Sequence, residues 1–256
     1  MHLLAAERIK LFSIQTPWIC GLLAITVLVV PAGLLAATAT ESRLPPTVAS
    51  TQFGFWFALV VVLVLAGLSV TGEYQTGTIR TSFQCVPGRT PVLLAKAAVV
   101  AAFAFVLGEI AAFGAWVVAL LLAPDADLAL DSAADWTIVA GTGVVFAFAA
   151  VLGVGAGLLV RHTAGAVALL TIYPLAAENL VALIPHVGPA VHRWLPFNVA
   201  MKFLSGNGGA SGGRDGGNAN VLSDSPLSPG WALAYFAAFA AVVLTAGVVT
   251  TRRRDA

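Results

Sequence analysis

The sequence predicts an all-α integral membrane protein with six transmembrane helices. Apolar residues make up 59% of the 256 positions and charged residues only 10%, compared with about 25% charged residues in an ordinary soluble domain. Ten per cent of charged residues is too few to cover a surface that faces water. Most of the surface is therefore expected to face lipid. Six separate apolar runs, each long enough to cross a bilayer, set the number of helices. The net charge of +1 gives no reason to expect nucleic acid as a partner.

The predicted elements form a single transmembrane domain over residues 1–256. An N-terminal stretch (1–17) carries Glu7, Arg8 and Lys10 and is expected to lie along the membrane surface as a modestly amphipathic interfacial helix. The runs of apolar residues predict spans at 18–37, 53–69, 93–122, 137–160, 163–183 and 231–250. The fourth span contains a G-x-x-x-G spacing (153–157), which allows close helix packing within one subunit or at a dimer seam.

The distribution of basic residues predicts that both chain ends lie in the cytoplasm. With the N-terminus inside, only Arg43, Arg193, Lys202 and Arg214 fall in outer loops. The remaining nine of the thirteen basic residues lie on the cytoplasmic side, as the positive-inside rule requires. The predicted outer loop 123–136 carries four Asp residues and no Lys or Arg.

Two connections are longer than a hairpin between helices needs. The inner connection, 70–90, joins spans two and three, and the outer connection, 185–230, joins spans five and six. The segment 184–197 is apolar but interrupted by three prolines. This pattern predicts short helices that dip into the outer leaflet and are covered by protein rather than by lipid.

The inner connection carries the most informative polar residues. Thr76 or Thr78 can cap a short helix that ends at Pro87-Gly88. In that helix Ile79 and Phe83 share one face, since they are four residues apart. Two interpretations remain open at this point. The helix either transmits motion between a cytoplasmic partner and the bundle, or rests among lipid headgroups with its arginines on phosphates.

A motif in this connection resembles a known family. Glu73-x3-Gly77-Thr78-Ile79-Arg80, followed by Pro87-x-Arg89 and Leu93-Leu94-Ala95-Lys96, is similar to the inner loop of bacterial ABC-2-type permeases. These are the short six-span membrane subunits of ABC exporters, including multidrug or antibiotic efflux systems of the lantibiotic type. The similarity extends to the chain length, the span count, the orientation and the long connection before the last span.

The resemblance implies a function and a set of site residues. It implies a bacterial cytoplasmic membrane location, extracellular re-entrant helices between spans five and six, and a coupling helix that docks on a separate ATPase subunit. The coupling residues it implies are Glu73, Gly77, Thr78, Ile79, Arg80, Phe83, Pro87 and Arg89. Two ATPase copies and a second permease, identical or homologous, would complete the exporter. Family members differ in substrate, so the resemblance selects no cargo and no transport direction.

The chain itself lacks the residues expected of an ATPase. No G-x-x-x-x-G-K-[ST] phosphate loop occurs in it, so ATP and Mg²⁺ are expected only in the partner subunit. No histidine or cysteine spacing indicates a metal site, and no nucleophile–base pair indicates an enzyme. We therefore expect a transport subunit without a cofactor of its own.

Two carboxylates lie inside predicted spans, Glu109 in the third and Glu178 in the fifth. A charge within a bilayer is costly, and it usually faces the protein interior or a wet cavity. Each residue therefore either contacts a polar or cationic substrate, or is a protonated acid hydrogen-bonded to a neighbouring helix. A stand-alone secondary transporter that uses either residue as a proton site is the alternative function. That alternative leaves the long inner connection unexplained.

Overall fold

The predicted six-helix architecture is confirmed. The computed structural model describes residues 2–38, 46–78, 89–206 and 223–254, and within these ranges all regular secondary structure is helical. Six of the helical segments are long and apolar enough to cross a membrane. They are Thr16–Ala37 (α2), Ala49–Thr76 (a 3-10 turn followed by α3, Phe55–Thr76), Arg89–Leu122 (α4), Ala133–Val160 (α5), Thr163–Ala182 (α6) and Pro229–Arg254 (α9).

Capping residues explain why several helices extend beyond the predicted spans. Helix α3 continues to Thr76, where Gly77 adopts the left-handed conformation (φ 71°) that commonly ends a helix. Helix α5 starts at Ala133, before the predicted residue 137. There the Ser132 hydroxyl accepts the Asp135 N–H, and the Asp135 carboxylate accepts the Ser132 N–H. Hydropathy alone does not locate these helix ends, because the last turn of α3 and the first turn of α5 contain polar residues outside the apolar run.

The central helix of the bundle is α5, which packs against α3, α4 and α9. Its small residues make these contacts close. A Cβ at Gly153 would lie 2.7 Å from the Leu63 carbonyl oxygen on α3, and one at Gly155 would lie 2.7 Å from the Leu244 nitrogen on α9. The glycine-rich stretch of the fourth span therefore packs against two neighbours inside the protomer. The outward faces of other helices remain apolar, as at Leu22 and Leu121.

The predicted N-terminal helix is present as α1 (His2–Ser13). It packs mainly against α4, and it buries Leu11 and Glu7 on that side. The Phe12 ring meets Phe103 of α4 edge-on, with the ring centroids 5.3 Å apart. Helix α1 is thus joined to the bundle by direct contacts with a transmembrane helix.

The connection between α6 and α9 contains two short helices, α7 (Gly188–His192) and α8 (Pro196–Ser205). Helix α7 lies within the segment 184–197 for which short helices are predicted, whereas α8 lies mostly after it. Each has a proline at its first or second position. A backbone N–H at these positions has no partner within the helix, so the proline costs no helical hydrogen bond. Helix α8 is mostly buried against α5 and α9. Its packing inside the protomer agrees with the predicted covering by protein, whereas its depth in a membrane stays a prediction.

We predict that Gly155→Ala loosens the contact between α5 and α9. The added methyl group would meet the Leu244 backbone at 2.7–2.8 Å, and such overpacking costs about 1–3 kcal/mol. That cost exceeds the gain of at most about 1 kcal/mol in helix propensity. The melting temperature in detergent should fall by several degrees. Gly72→Ala is the matched control, since nothing lies within 4 Å of its added Cβ. Equal melting temperatures of the two variants would contradict the prediction.

Candidate functional site

Four charged residues form an ion cluster at the end of the bundle where α1 lies: Glu7, Lys10, Glu73 and Lys96. The Lys96 Nζ atom bridges the two acids, at 2.7 Å from Glu7 Oε2 and 2.8 Å from Glu73 Oε1. The Lys10 Nζ atom lies 2.8 Å from Glu7 Oε1 and 3.7 Å from Glu73 Oε1. Two positive and two negative side chains thus balance one another within a few ångströms.

The charges of this cluster must be paired because two of its side chains are almost completely buried. The side chains of Lys96 and Glu7 are only 7% and 4% exposed, whereas that of Lys10 is 40% exposed. An ion removed from water is strongly destabilising unless it is paired. Lys96 lies in the first turns of an apolar transmembrane helix, where both carboxylates are in direct contact with its ammonium group.

The charges also shift the pKa values of the two α1 members. Burial would raise the pKa of Glu7, but the positive charges of Lys96 and Lys10 outweigh it and hold the pKa below its ordinary value of 4.5. Burial would lower the pKa of Lys10, but the hydrogen bond to Glu7 and the charge of Glu73 raise it above 10.5. Both groups therefore stay ionised around neutral pH.

The ion cluster joins three elements that are distant in sequence. Glu7 and Lys10 come from α1, Glu73 from the last turn of α3, and Lys96 from the start of α4. The last two residues flank the part of the inner connection that joins α3 to α4 (77–88), and residues 79–88 of this part lie outside the described part of the chain. The ion cluster therefore links the end of α3 and the start of α4 to α1.

The predicted coupling residues divide into two groups. Glu73 is in the ion cluster, Gly77 ends α3, and the hydroxyls of Thr78 and Thr76 are hydrogen-bonded at 2.9 Å. Arg89 starts α4, although its side chain is not described. The predicted coupling helix lies outside the described residues, together with Ile79, Arg80, Phe83 and Pro87.

Sequence reasoning missed three members of this site: Lys96 as a partner of Glu73, and both Glu7 and Lys10 of α1. A signal was available for Lys96, because a lysine within an apolar helix requires a nearby acid. Both Glu73 and Lys96 belong to the motif that resembles ABC-2-type permeases. No comparable signal selected Glu7 over other acids, since it lies in a stretch with only a weak amphipathic pattern.

A second polar site lies at the opposite end of the bundle, around Glu178 of α6. Its carboxylate oxygens accept the backbone N–H groups of Phe197 (3.1 Å) and Asn198 (3.0 Å) at the start of α8. The Glu178 side chain is only 2% exposed. It therefore supplies acceptors to the first N–H groups of α8, which have no partner within that helix.

The shape of α6 directs Glu178 to this position. The helix widens into a π-helical turn at Tyr173–Ala177, immediately before Glu178. Pro174 lies in this turn, and its ring nitrogen cannot donate the regular hydrogen bond. The Tyr173 side chain is a further polar neighbour of the Glu178 carboxylate.

The start of α8 is also held by the chain segment that precedes α9. The Asn198 side-chain amide donates to Asp224 Oδ1 (2.8 Å) and to the His192 carbonyl (3.0 Å). The Ser223 hydroxyl donates to the Asn198 carbonyl (2.7 Å). These bonds connect α6, α7, α8 and α9 into one polar network.

Glu109 has a different environment from Glu178. Its carboxylate lies over Gly143 of α5, where a Cβ would come into collision with the Glu109 side chain. Within the part of the chain that the structure describes, no hydrogen bond or ion pair is found for Glu109. Glu109 is thus a partly exposed acid in the middle of α4.

Comparisons with known proteins identify no relative. No protein-family model matches the chain, and no curated protein matches it significantly. Among the described residues, no group of three or more His, Cys, Asp or Glu side chains could hold a metal ion. A function must therefore be argued from the helices and from the two polar sites.

We predict that Glu178→Gln weakens the attachment of α8. The amide offers one acceptor oxygen where the carboxylate offers two, so one buried N–H of α8 loses its partner. Such a loss costs about 1–3 kcal/mol. Hydrogen exchange measured by mass spectrometry should become faster in a peptide covering residues 196–205. Asn179→Gln is a suitable control, because that residue follows Glu178, is exposed, and keeps an uncharged amide in the substitution. Unchanged exchange in the Glu178 variant would argue against the capping role.

A pH dependence follows from the lowered pKa of Glu7. In the unfolded chain this acid takes up its proton near the ordinary pKa of 4.5, whereas in the folded protein it does so at lower pH. Its contribution to stability is therefore complete above about pH 4.5 and is lost as the pH falls through the folded pKa. Melting temperatures measured across this range should decline more steeply for the wild type than for Glu7→Gln. Parallel curves would contradict the prediction.

Proposed function

We propose that this chain is the membrane-spanning permease subunit of an ATP-driven exporter of the ABC-2 type. The observation that carries the proposal is the ion cluster. Glu73 and Lys96, the two charged ends of the motif that resembles this family, are in direct contact at 2.8 Å. They flank the inner connection, and they link it to α1 through Glu7. The six-helix architecture agrees with the same family.

The ion cluster suggests how a partner could move the bundle. An ATPase subunit that binds residues 79–88 would push or pull on the end of α3 and the start of α4. Because Lys96 is buried and paired with acids from α1 and α3, these helix ends resist separation and would move together. In this mechanism ATP and Mg²⁺ belong to the partner, and Gly77, Thr78, Arg80 and Arg89 belong to the docking segment.

The transport pathway would lie between this chain and a second permease, identical or homologous. A partly exposed Glu109 near the middle of α4 supports a role in such a pathway, since an intramembrane acid normally faces a partner or a wet cavity. Glu178 is a weaker candidate for substrate contact, because both of its oxygens already accept hydrogen bonds from α8. The cytoplasmic position of both chain ends is part of this proposal.

A stand-alone proton-coupled transporter is the second candidate. The observation in its favour is the same Glu109, which has no hydrogen bond or ion pair to the described residues and could carry a proton. This candidate requires no ATPase, and it assigns no role to the inner connection. Its first test is therefore whether the chain has an ATPase partner at all.

The test of the proposed function is a pull-down of the tagged chain in mild detergent, followed by mass spectrometry and an ATPase assay. We expect a soluble ATPase at one copy per permease. The matched variants are Arg80→Glu, which reverses a charge in the predicted docking segment, and Arg214→Glu, which reverses one in the predicted outer loop. Arg80→Glu should uncouple ATP hydrolysis from transport without preventing membrane insertion, and Arg214→Glu should behave as the wild type.

Two results would contradict the proposal. The first is a chain that purifies without any ATPase and shows no hydrolysis, which would favour the proton-coupled alternative. The second is an Arg80→Glu variant whose transport in proteoliposomes is unchanged from that of the wild type.

A further inference from the structure

Glu109 differs from other exposed polar side chains within the spans. Three such side chains each donate a hydrogen bond to a backbone carbonyl four residues earlier in their own helix: Thr26, Asn179 and Thr245. The carboxyl group of Glu109 has no hydrogen bond or ion pair in the part of the chain that the structure describes. It lies about 20 Å from the nearer end of α4, at 1.5 Å per residue. An acid without a partner is costly at that depth of a transmembrane helix.

A close helix crossing holds the Glu109 side chain in place. A Cβ at Gly108 of α4 would lie 2.7 Å from the Cα atom of Gly143 on α5, so the two backbones touch here. The Glu109 side chain lies over Gly143, where an added Cβ would come within 2.9 Å of its Cγ and Cδ atoms. Because Glu109 is nevertheless partly exposed, its carboxyl group is accessible at the outer edge of this crossing.

The surface around Glu109 is an exposed apolar face of α4. Val106 and Ile110 are more than half exposed, and Phe105 and Val117 are exposed as well. Their separations of four and seven residues are those of neighbours on one side of a helix. Apolar side chains alone indicate no partner in a membrane, because lipid tails are as apolar as they are. The feature that requires a partner is the carboxyl group in their midst.

We propose that this face of α4 binds the same face of a second copy of the chain, with the two Glu109 carboxyl groups hydrogen-bonded to each other. Copies inserted with the same orientation place Glu109 at the same depth, and a two-fold axis along the membrane normal brings identical residues together. A protonated carboxyl group is both a donor and an acceptor, so it is complementary to its own copy. At least one of the two groups must carry a proton, since two adjacent carboxylates repel each other.

Small residues on the same side of α4 allow the two helices to approach each other. Ala98 and Ala102 are both exposed, and their separation of four residues is the spacing at which small side chains permit close helix contact. Lipid tails could also cover this face, but they offer neither a donor nor an acceptor to Glu109. The inference deepens the proposed function, on which it rests for the role of the pair, because it makes the second permease an identical copy.

The first experiment measures self-association of the full chain in lipid vesicles, by energy transfer between donor-labelled and acceptor-labelled copies at increasing dilution with lipid. Glu109→Leu should raise the dissociation constant about three- to tenfold, the effect of one interhelical hydrogen bond in a membrane. Glu109→Gln should associate as the wild type does, because an amide keeps a donor and an acceptor. Asn179→Leu is the matched control, since it removes an exposed polar side chain that bonds within its own helix.

The second experiment locates the interface by disulfide cross-linking in vesicles. In a chain that carries Cys20→Ser and Cys85→Ser, Ile110→Cys should form an intermolecular disulfide on mild oxidation, because a residue beside the axis comes within disulfide distance of its copy. Single cysteines at exposed positions of α2, α6 and α9 should remain uncross-linked under the same conditions: Val30→Cys, Ile172→Cys and Val242→Cys. This experiment does not depend on a substitution at Glu109, so it tests the interface even if Glu109→Leu fails to fold.

Three outcomes would overturn the inference: a chain that stays monomeric in vesicles, equal dissociation constants of the wild type and Glu109→Leu, or a disulfide at one of the other faces in place of Ile110→Cys. Neither experiment involves an ATPase, so its failure can be told apart from failure of the exporter proposal. A monomeric chain that still recovers an ATPase would leave the exporter with a homologous second permease. A dimer through α4 without an ATPase would keep this interface and remove the exporter.

Discussion

The charge of Lys96 constrains the whole α1 end of the bundle. An ammonium group that is 7% exposed needs counter-charges, and it finds them in Glu7 of α1 and Glu73 of α3. Removal of either helix would leave a buried positive charge only partly compensated. The N-terminal helix is therefore part of the bundle, and the ends of α3 and α4 are held together across the inner connection.

The opposite end of the bundle depends on a buried acid in a similar way. The Glu178 carboxylate accepts hydrogen bonds from the first backbone N–H groups of α8, which have no partner within that helix. Helix α8 in turn packs against α5 and α9. A π-helical turn lies directly before Glu178 in α6, and the Glu178 carboxylate meets the start of α8. Between the two polar ends, the glycines of α5 bring α3 and α9 close to the central helix without any polar contact. The ion cluster and Glu178 thus lie towards the two ends of the bundle, and the close glycine contacts of α5 lie between them.

The sequence alone determined the six helices and their approximate bounds, because a bilayer requires a continuous apolar run of about 20 residues for each helix. It also predicted the N-terminal helix and a short helix within 184–197, where α7 lies, because the prolines that interrupt the apolar run can be read directly from the sequence. Most of α8 lies after that segment. The helix ends were less accurate at Thr76 and Ala133, where capping by Gly77 and Ser132 extends a helix past its apolar part.

Only the tertiary structure decided which charges meet. Glu109 and Glu178 are equivalent in the sequence, as single acids within apolar spans, yet one lies against Gly143 without a described partner and the other caps a neighbouring helix. Glu7 and Lys96 are far apart along the chain, and no local pattern pairs them. The physical reason is that the cost of a buried charge depends on what surrounds it in space. Hydropathy reports how much of a helix is apolar, but not which neighbour its few polar atoms face.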